Sequence, residues 1–164
     1  MSGSLSLLSP WSPWSMVALV TMVFGTACGS ASPSSSSQQE PSTSVSLRND
    51  VLPIFAANCS TTTTCHGSPN GIEVFLAGGA KNATTIRSGI VNVPAEELPT
   101  MPYVTAGDPD TSYILHKLDG DEHTFDAQCV GGDCRDQMPL NAAPLASSDR
   151  AMIRAWITQG ALDN

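Results

Sequence analysis

The first 39 residues of this 164-residue chain contain no Asp, Glu, Lys or Arg, so every charged side chain lies from Glu40 onward. What remains is enough for one domain of modest size. Basic residues are scarce: 7 Lys and Arg stand against 15 Asp and Glu, a net charge of -8. That balance argues against nucleic acid and anionic surfaces as partners. No apolar run is long enough to be a comfortable membrane span. The stretch "WSMVALVTMVFGTA", Trp14 to Ala27, has the length of a signal-peptide core instead. Also missing are a Ser/His/Asp arrangement, a phosphate-binding loop and a pair of catalytic carboxylates. Nothing in the chain therefore points to a catalyst or to a bound small-molecule substrate.

What is present has an order to it. The apolar stretch runs into Cys28 through Gly25, Thr26 and Ala27, and Gly29 and Ser30 follow. This resembles the lipobox of bacterial lipoproteins, in which the cysteine is lipidated and becomes the mature N-terminus. Gly25 stands where an aliphatic residue is usual, and the segment before the apolar core has no Lys or Arg. An ordinary cleaved signal peptide is the alternative. Residues 29–46 follow as a Ser/Pro-rich linker that cannot bury a core and is expected to be a disordered tether. The chain has 5 cysteines. Assigning Cys28 to lipid leaves Cys59, Cys65, Cys129 and Cys134 as an even set in an oxidising compartment.

Residues 47–164 form the expected folded domain, and its elements read as helices. In "LRNDVLPIFAANC", Val51, Leu52 and Phe55 share one helical face, and Pro53, which has no N–H, marks where a regular helix starts. A second helix is expected in "DPDTSYILHKLDG", capped by Asp110 or Ser112 and ended near Gly120. The last helix, in "SSDRAMIRAWITQGA", carries a stripe of Met152, Ile153, Trp156 and Ile157, with Ser147 or Ser148 as cap and Gly160 as stop. Long Gly-, Pro- and Asn-rich connections separate these helices. A small core alone would stabilise such an arrangement poorly, so a buried cofactor or disulfides should organise the middle.

The chemistry concentrates in "NCSTTTTCHG", Asn58 to Gly67, and in "CVGGDCRDQMPL", Cys129 to Leu140. Taken in order, "NCSTTTTCHG", "VNVP", "AGDPDTSYILHKLDG", "DQMPL" and "IRAWITQGA" resemble the cytochrome c-like domains of exported, often lipid-anchored bacterial proteins, such as those of myxobacteria and planctomycetes. The resemblance covers nearly the whole domain. It implies a small all-α, cytochrome c-like fold with long irregular loops, holding one covalent haem c. Cys59 and Cys65 would form the thioethers, His66 would be the proximal ligand, and Met138 would supply the distal sulfur. Imidazole and thioether together favour ferrous iron and suit electron transfer. Phe55 and Trp156 are read as core residues of the crossing helices. The implied role is single-electron transfer between redox partner proteins, on the periplasmic side of the cell envelope, from a lipid anchor at Cys28 in the outer membrane.

One departure matters: the cysteines of a haem-attachment motif are three apart, and these are six apart, from 59 to 65. On a continued helix that spacing is about 9 Å of rise, too far for one haem edge and too far for a disulfide. Either reading needs "STTTT" to bulge outward, which four β-branched residues favour. His66 and the Met138–Pro139 pair tilt the balance toward haem, since a disulfide loop needs neither. The "CVGGDC" pair, Cys129 and Cys134, is expected to be a disulfide that braces the Met138 loop. The competing reading is a haem-free structural or interaction lipoprotein with disulfides 59–65 and 129–134. A zinc site built from Cys59, Cys65, His66 and a later cysteine is a further reading. Met101, His116 and His123 stand as rival distal ligands, and the acidic run Asp119 to Glu122 is read as a solvated helix exit.

Overall fold

The structure, a computed structural model, describes residues 43–70 and 74–164. The expected signal segment, Cys28 and most of the expected linker lie outside the described residues.

Helices and irregular loops make up the domain, and among the described residues there is no β-strand. Isolated bridges such as Val91 to Val104 and Pro94 to Pro102 tie the long middle loop together. The chain enters through a π-helical turn, Leu47–Val51, and passes directly into α1, Leu52–Asn58. Ser46 caps the turn: its hydroxyl accepts from the Asn49 amide at 3.1 Å, and the Asp50 carboxylate accepts from the Ser46 amide at 2.7 Å. Pro53 lies in the first turn of α1, where no intrahelical donor is required. The helical path thus begins five residues before the α-helix proper, because the cap and Leu47 and Val51, both fully buried, hold it there.

Three more α-helices follow: α2, Ala83–Ile90; α3, Tyr113–Asp119; and α4, Ser147–Thr158. Ser112 precedes α3, but its hydroxyl accepts from the Thr105 amide and donates to the Asp108 carbonyl instead of bonding forward into the helix. Gly120 ends α3 at φ 78°, donating to the His116 carbonyl. On α4 the expected stripe is buried at Ile153, Trp156 and Ile157, while Met152 is left 37% exposed at its edge. Neither Ser147 nor Ser148 is the cap. Ala146 occupies that position, and its carbonyl receives the Asp149 and Arg150 amides, so both serines are wound into the first turn. Past the last turn, Gly160 at φ 98° lets the Ala161 amide return to the Trp156 carbonyl, a Schellman-type stop.

Two apolar clusters result. The larger joins the first helical turns, α2 and α4 through Leu47, Phe55, Ile86, Ile90, Trp156 and Ile157. The smaller gathers Ala95, Leu98 and Tyr113 around Cys129 and Cys134. The ends of the domain are stitched together. Ser46 Oγ donates to the Asn164 carbonyl at 2.7 Å, the Leu47 amide donates to Asn164 Oδ1 at 2.9 Å, and Arg48 pairs with Asp163 at 2.5 Å. Trp156 completes the closure by donating its indole N–H to the Leu162 carbonyl at 2.9 Å.

A second sequence expectation fails, besides the α4 cap. The acidic run is not solvated throughout, because Glu122 is 1% exposed. The chain does not simply leave α3 into water. After Gly120 it turns into a 3-10 segment, Glu122–Gln128, that folds back and draws the Glu122 side chain inside.

Candidate functional site

The end of α1 sets the first part of the site. The Cys59 and Ser60 amides both donate to the Phe55 carbonyl, at 2.8 and 3.0 Å, and the chain then leaves the helix. Thr61 to Thr64 are all exposed, so the threonine insert loops outward. The loop closes when the His66 amide donates to the Cys59 carbonyl at 3.1 Å, bringing the two ends of the motif together across the insert. Thr62 Oγ1 lies 3.2 Å from Cys65 Sγ as a donor. Gly67 is required for this closure, since a Cβ there would collide with the Thr62 carbonyl.

His66 is pinned from both sides. Its carbonyl accepts from the Leu76 amide at 2.9 Å, and its ring Nδ1 is 2.8 Å from the Val74 carbonyl. A nitrogen facing a carbonyl must be the donor, so in the neutral ring Nδ1 carries the hydrogen and Nε2 carries the lone pair. This is the arrangement in which a histidine is prepared as a metal ligand.

Cys59, Cys65, His66 and Met138 line one cavity of about 590 Å³. Its walls are mostly apolar, with Phe55, Leu76, Ile90 and Leu118 on the core side and Leu140 and Pro144 on the loop that follows Met138. Such a volume lies within the range of cofactor and ligand pockets. Cys59 and Cys65 are free thiols, both partly buried. Burial, with a smaller contribution from Cys65, pushes the Cys59 thiol up to about 11. Met138 reaches the cavity because its amide donates to the Lys117 carbonyl on α3 at 2.8 Å; the peptide to Pro139 is cis.

One wall is polar. Lys117 and Glu97, both buried, form an ion pair at 3.1 Å, and Tyr113 donates its hydroxyl to the same Glu97 oxygen at 2.7 Å. Lys117 also donates to the Cys134 carbonyl at 2.8 Å. The pair is therefore neutral as a unit and hydrogen-bonded on both sides, as a buried ion pair must be to persist. Sequence reasoning missed this group. Lys117 sits in an otherwise apolar helical stretch, which is a weak signal, and Glu97 in "PAEELP" gave none.

Cys129 and Cys134 are joined by a disulfide with their Cα atoms 5.3 Å apart. Through Lys117 and Tyr113 this loop is tied to α3, and through Met138 the same helix holds the cavity rim. The rival distal ligands are placed elsewhere, and none of them lines the cavity. Met101 packs against the smaller apolar cluster. His116 has both ring nitrogens engaged, Nδ1 with Asp121 at 2.9 Å and Nε2 with the Asp110 carbonyl at 3.2 Å. His123 is on the outer face, paired with Asp126.

The zinc reading fares poorly on geometry. Among the described residues, the group of His, Cys, Asp and Glu ligand atoms within 4.8 Å of one another is His123, Asp126 and Asp133, not Cys59, Cys65 and His66. Donors that share a cavity without converging on a point suit an extended group better than a single ion. No family model, no curated protein and no solved structure matches this chain.

Proposed function

We propose that this domain holds one covalent haem in the cavity beside α1 and passes single electrons between partner proteins. The observation that carries the reading is the meeting of Cys59, Cys65, His66 and Met138 on one largely apolar cavity, although the sequence separates Met138 from the others by more than half the domain.

The residues fit that group in type and in state. Two unpaired thiols flank the loop, as thioether formation requires. His66 presents Nε2 with its orientation fixed by the Val74 carbonyl, and Met138 offers a soft sulfur from the opposite end of the chain. The apolar wall excludes water, and the paired charges of Lys117 and Glu97 add no net charge to it. Bound there, the haem iron would supply a one-electron couple whose His/Met ligation favours the reduced state. The chain's part is to hold, orient and desolvate. On this reading the fold is cytochrome c-like, and the protein is a lipoprotein anchored by Cys28 on the periplasmic side of the envelope, a placement that rests on the sequence alone.

The test is colour and covalency. Expressed with a competent haem-attachment system, the purified protein should be red and keep its haem through denaturing, reducing electrophoresis. Cys59→Ser/Cys65→Ser should lose that attachment, and Met138→Ala should retain it with a lower reduction potential. A colourless wild type with Cys59 linked to Cys65 overturns the reading in favour of a haem-free scaffold held by two disulfides.

A further inference from the structure

The outer face of the disulfide loop carries a group of donors that the haem reading leaves unused. His123, Asp126 and Asp133 each offer a ligand atom, and these atoms all lie within 4.8 Å of one another. They come from three chain positions fixed by different means. His123 and Asp126 sit in the same 3-10 segment, whereas Asp133 lies inside the ring closed by Cys129 and Cys134. Each aspartate ties one oxygen to a backbone amide: Asp126 Oδ1 accepts from Cys134 and Asp133 Oδ1 from Arg135, both at 2.8 Å. Asp126 also turns both of its oxygens toward His123 Nδ1, at 3.2 and 3.3 Å.

Behind the imidazole lies the observation that points to a cation. Glu122 is 1% exposed, its Oε1 is 3.8 Å from His123 Nε2, and its buried Oε2 meets no donor. A carboxylate buried in this way needs a compensating charge close by. His123 Nδ1 faces Asp126, at 3.2 and 3.3 Å from its two oxygens. The ring is thus flanked by carboxylates on both nitrogens. A proton can sit on either nitrogen, but a divalent ion on the Nδ1 side would bridge His123, Asp126 and Asp133 and leave Nε2–H for Glu122. A side-chain shift that shortens the 3.8 Å gap to Glu122 would complete a carboxylate–histidine–metal relay.

We propose that His123, Asp126 and Asp133 form a divalent transition-metal site on the disulfide loop, with Glu122 as the buried carboxylate that positions the imidazole. Ligand atoms about 2.1 Å from a common ion lie roughly 3 to 4 Å apart, so the observed set closes with small side-chain movements. One imidazole among carboxylates favours zinc-like ions over calcium, which prefers a shell of six to eight oxygens. The site lies outside the cavity and does not depend on the haem reading.

Calorimetric titration with Zn2+ tests it on the full chain. Because free thiols bind zinc, Cys59→Ser/Cys65→Ser is titrated alongside the wild type. Both should take up one equivalent at the outer site. His123→Ala and Asp133→Asn, each placed in the Cys59→Ser/Cys65→Ser background, alter exposed residues and should not disturb folding. Affinity there should fall at least about tenfold, with the larger loss for His123→Ala. In the same background Glu122→Gln should weaken binding by about 10- to 100-fold, and Ca2+ should bind at least about tenfold more weakly than Zn2+. A Cys59→Ser/Cys65→Ser protein with no saturable zinc uptake, or one whose uptake survives His123→Ala unchanged, overturns the proposal.

Discussion

The two cysteine pairs of the domain are spaced almost alike, six positions from Cys59 to Cys65 and five from Cys129 to Cys134, yet they end in opposite chemical states. The later pair is a disulfide and the earlier pair is two free thiols. The spacers differ in the property that matters. Gly131 and Gly132 both adopt φ 79°, a conformation that permits a tight turn without a Cβ penalty. Between Cys59 and Cys65 there is no glycine, and four exposed β-branched threonines fill the spacer. One loop is a brace. The other lies at a cavity wall with both of its sulfurs unpaired.

The brace is polar as well as covalent, and breaking its polar part should have the largest effect. Lys117 serves both Glu97 and the Cys134 carbonyl. Lys117→Met leaves Glu97 buried without its cation, and destabilisation of about 3 to 5 kcal/mol is expected by chemical denaturation. The Arg135 guanidinium, 3.7 Å from the other Glu97 oxygen, should hold the loss toward the lower end. Replacing both partners, Lys117→Met with Glu97→Gln, should recover much of it. If Lys117→Met alone costs under about 1 kcal/mol, the ion pair is not what ties the disulfide loop to α3.

Removing the disulfide should cost less. Its loop is short, so Cys129→Ser/Cys134→Ser should lose about 2 kcal/mol, seen as a lower unfolding midpoint. The same exchange at Cys59 and Cys65, in protein without an attached group, should stay within about 0.5 kcal/mol, since no covalent constraint is lost there. Equal losses at the two pairs would erase the distinction drawn between brace and open loop.

Chemical reactivity separates the pairs further. Cys59, pushed up to about 11 by burial, holds its proton where an unfolded chain, with a thiol near 9.0, releases it. At pH 8 its thiolate is roughly 100-fold scarcer but more nucleophilic, so alkylation in the folded protein should run about tenfold slower than in the urea-unfolded chain. Between pH 9 and 11 the folded state binds more protons at this site than the unfolded state. Its contribution to stability is therefore full below pH 9 and lost as pH rises toward 11. Mass-spectrometric alkylation rates that do not differ between folded and unfolded protein would show that Cys59 is not shielded.

Much of this frame was legible in the sequence, for a physical reason. The α4 stripe, the start of α1 near Pro53 and the stops at Gly120 and Gly160 are local rules, set by residues within a turn or two of each other. Ser112 stands at the α3 cap position as expected, though its hydroxyl bonds to Thr105 and Asp108, whereas the α4 cap was misread by one residue because Ala146 takes that position through its carbonyl. The candidate site was legible only as a list. Its residues are named by motif, but their meeting depends on contacts that no local pattern encodes: Met138 to Lys117, His66 to Val74, Lys117 to Glu97. The burial of Glu122 was hidden for the opposite reason, since an acidic run reads as solvated until the chain folds back over it.

The smallest expected effect addresses the spacer itself. If glycines are what allow Cys129 and Cys134 to close, then Thr62→Gly/Thr63→Gly should move the earlier loop toward the later one. The change relaxes two β-branched positions and removes the Thr62 hydroxyl that donates to Cys65 Sγ at 3.2 Å. Both threonines are exposed, so the stability cost should stay near 1 kcal/mol, mostly chain entropy. Under mild oxidation, peptide mapping without reduction should then find a Cys59–Cys65 disulfide in the variant and little of it in the wild type. The same oxidised variant should take up less covalent haem, because both reactive sulfurs are consumed. A variant whose thiols stay free would shift the explanation from the spacer to the cavity wall, where Cys59 is packed against the apolar core.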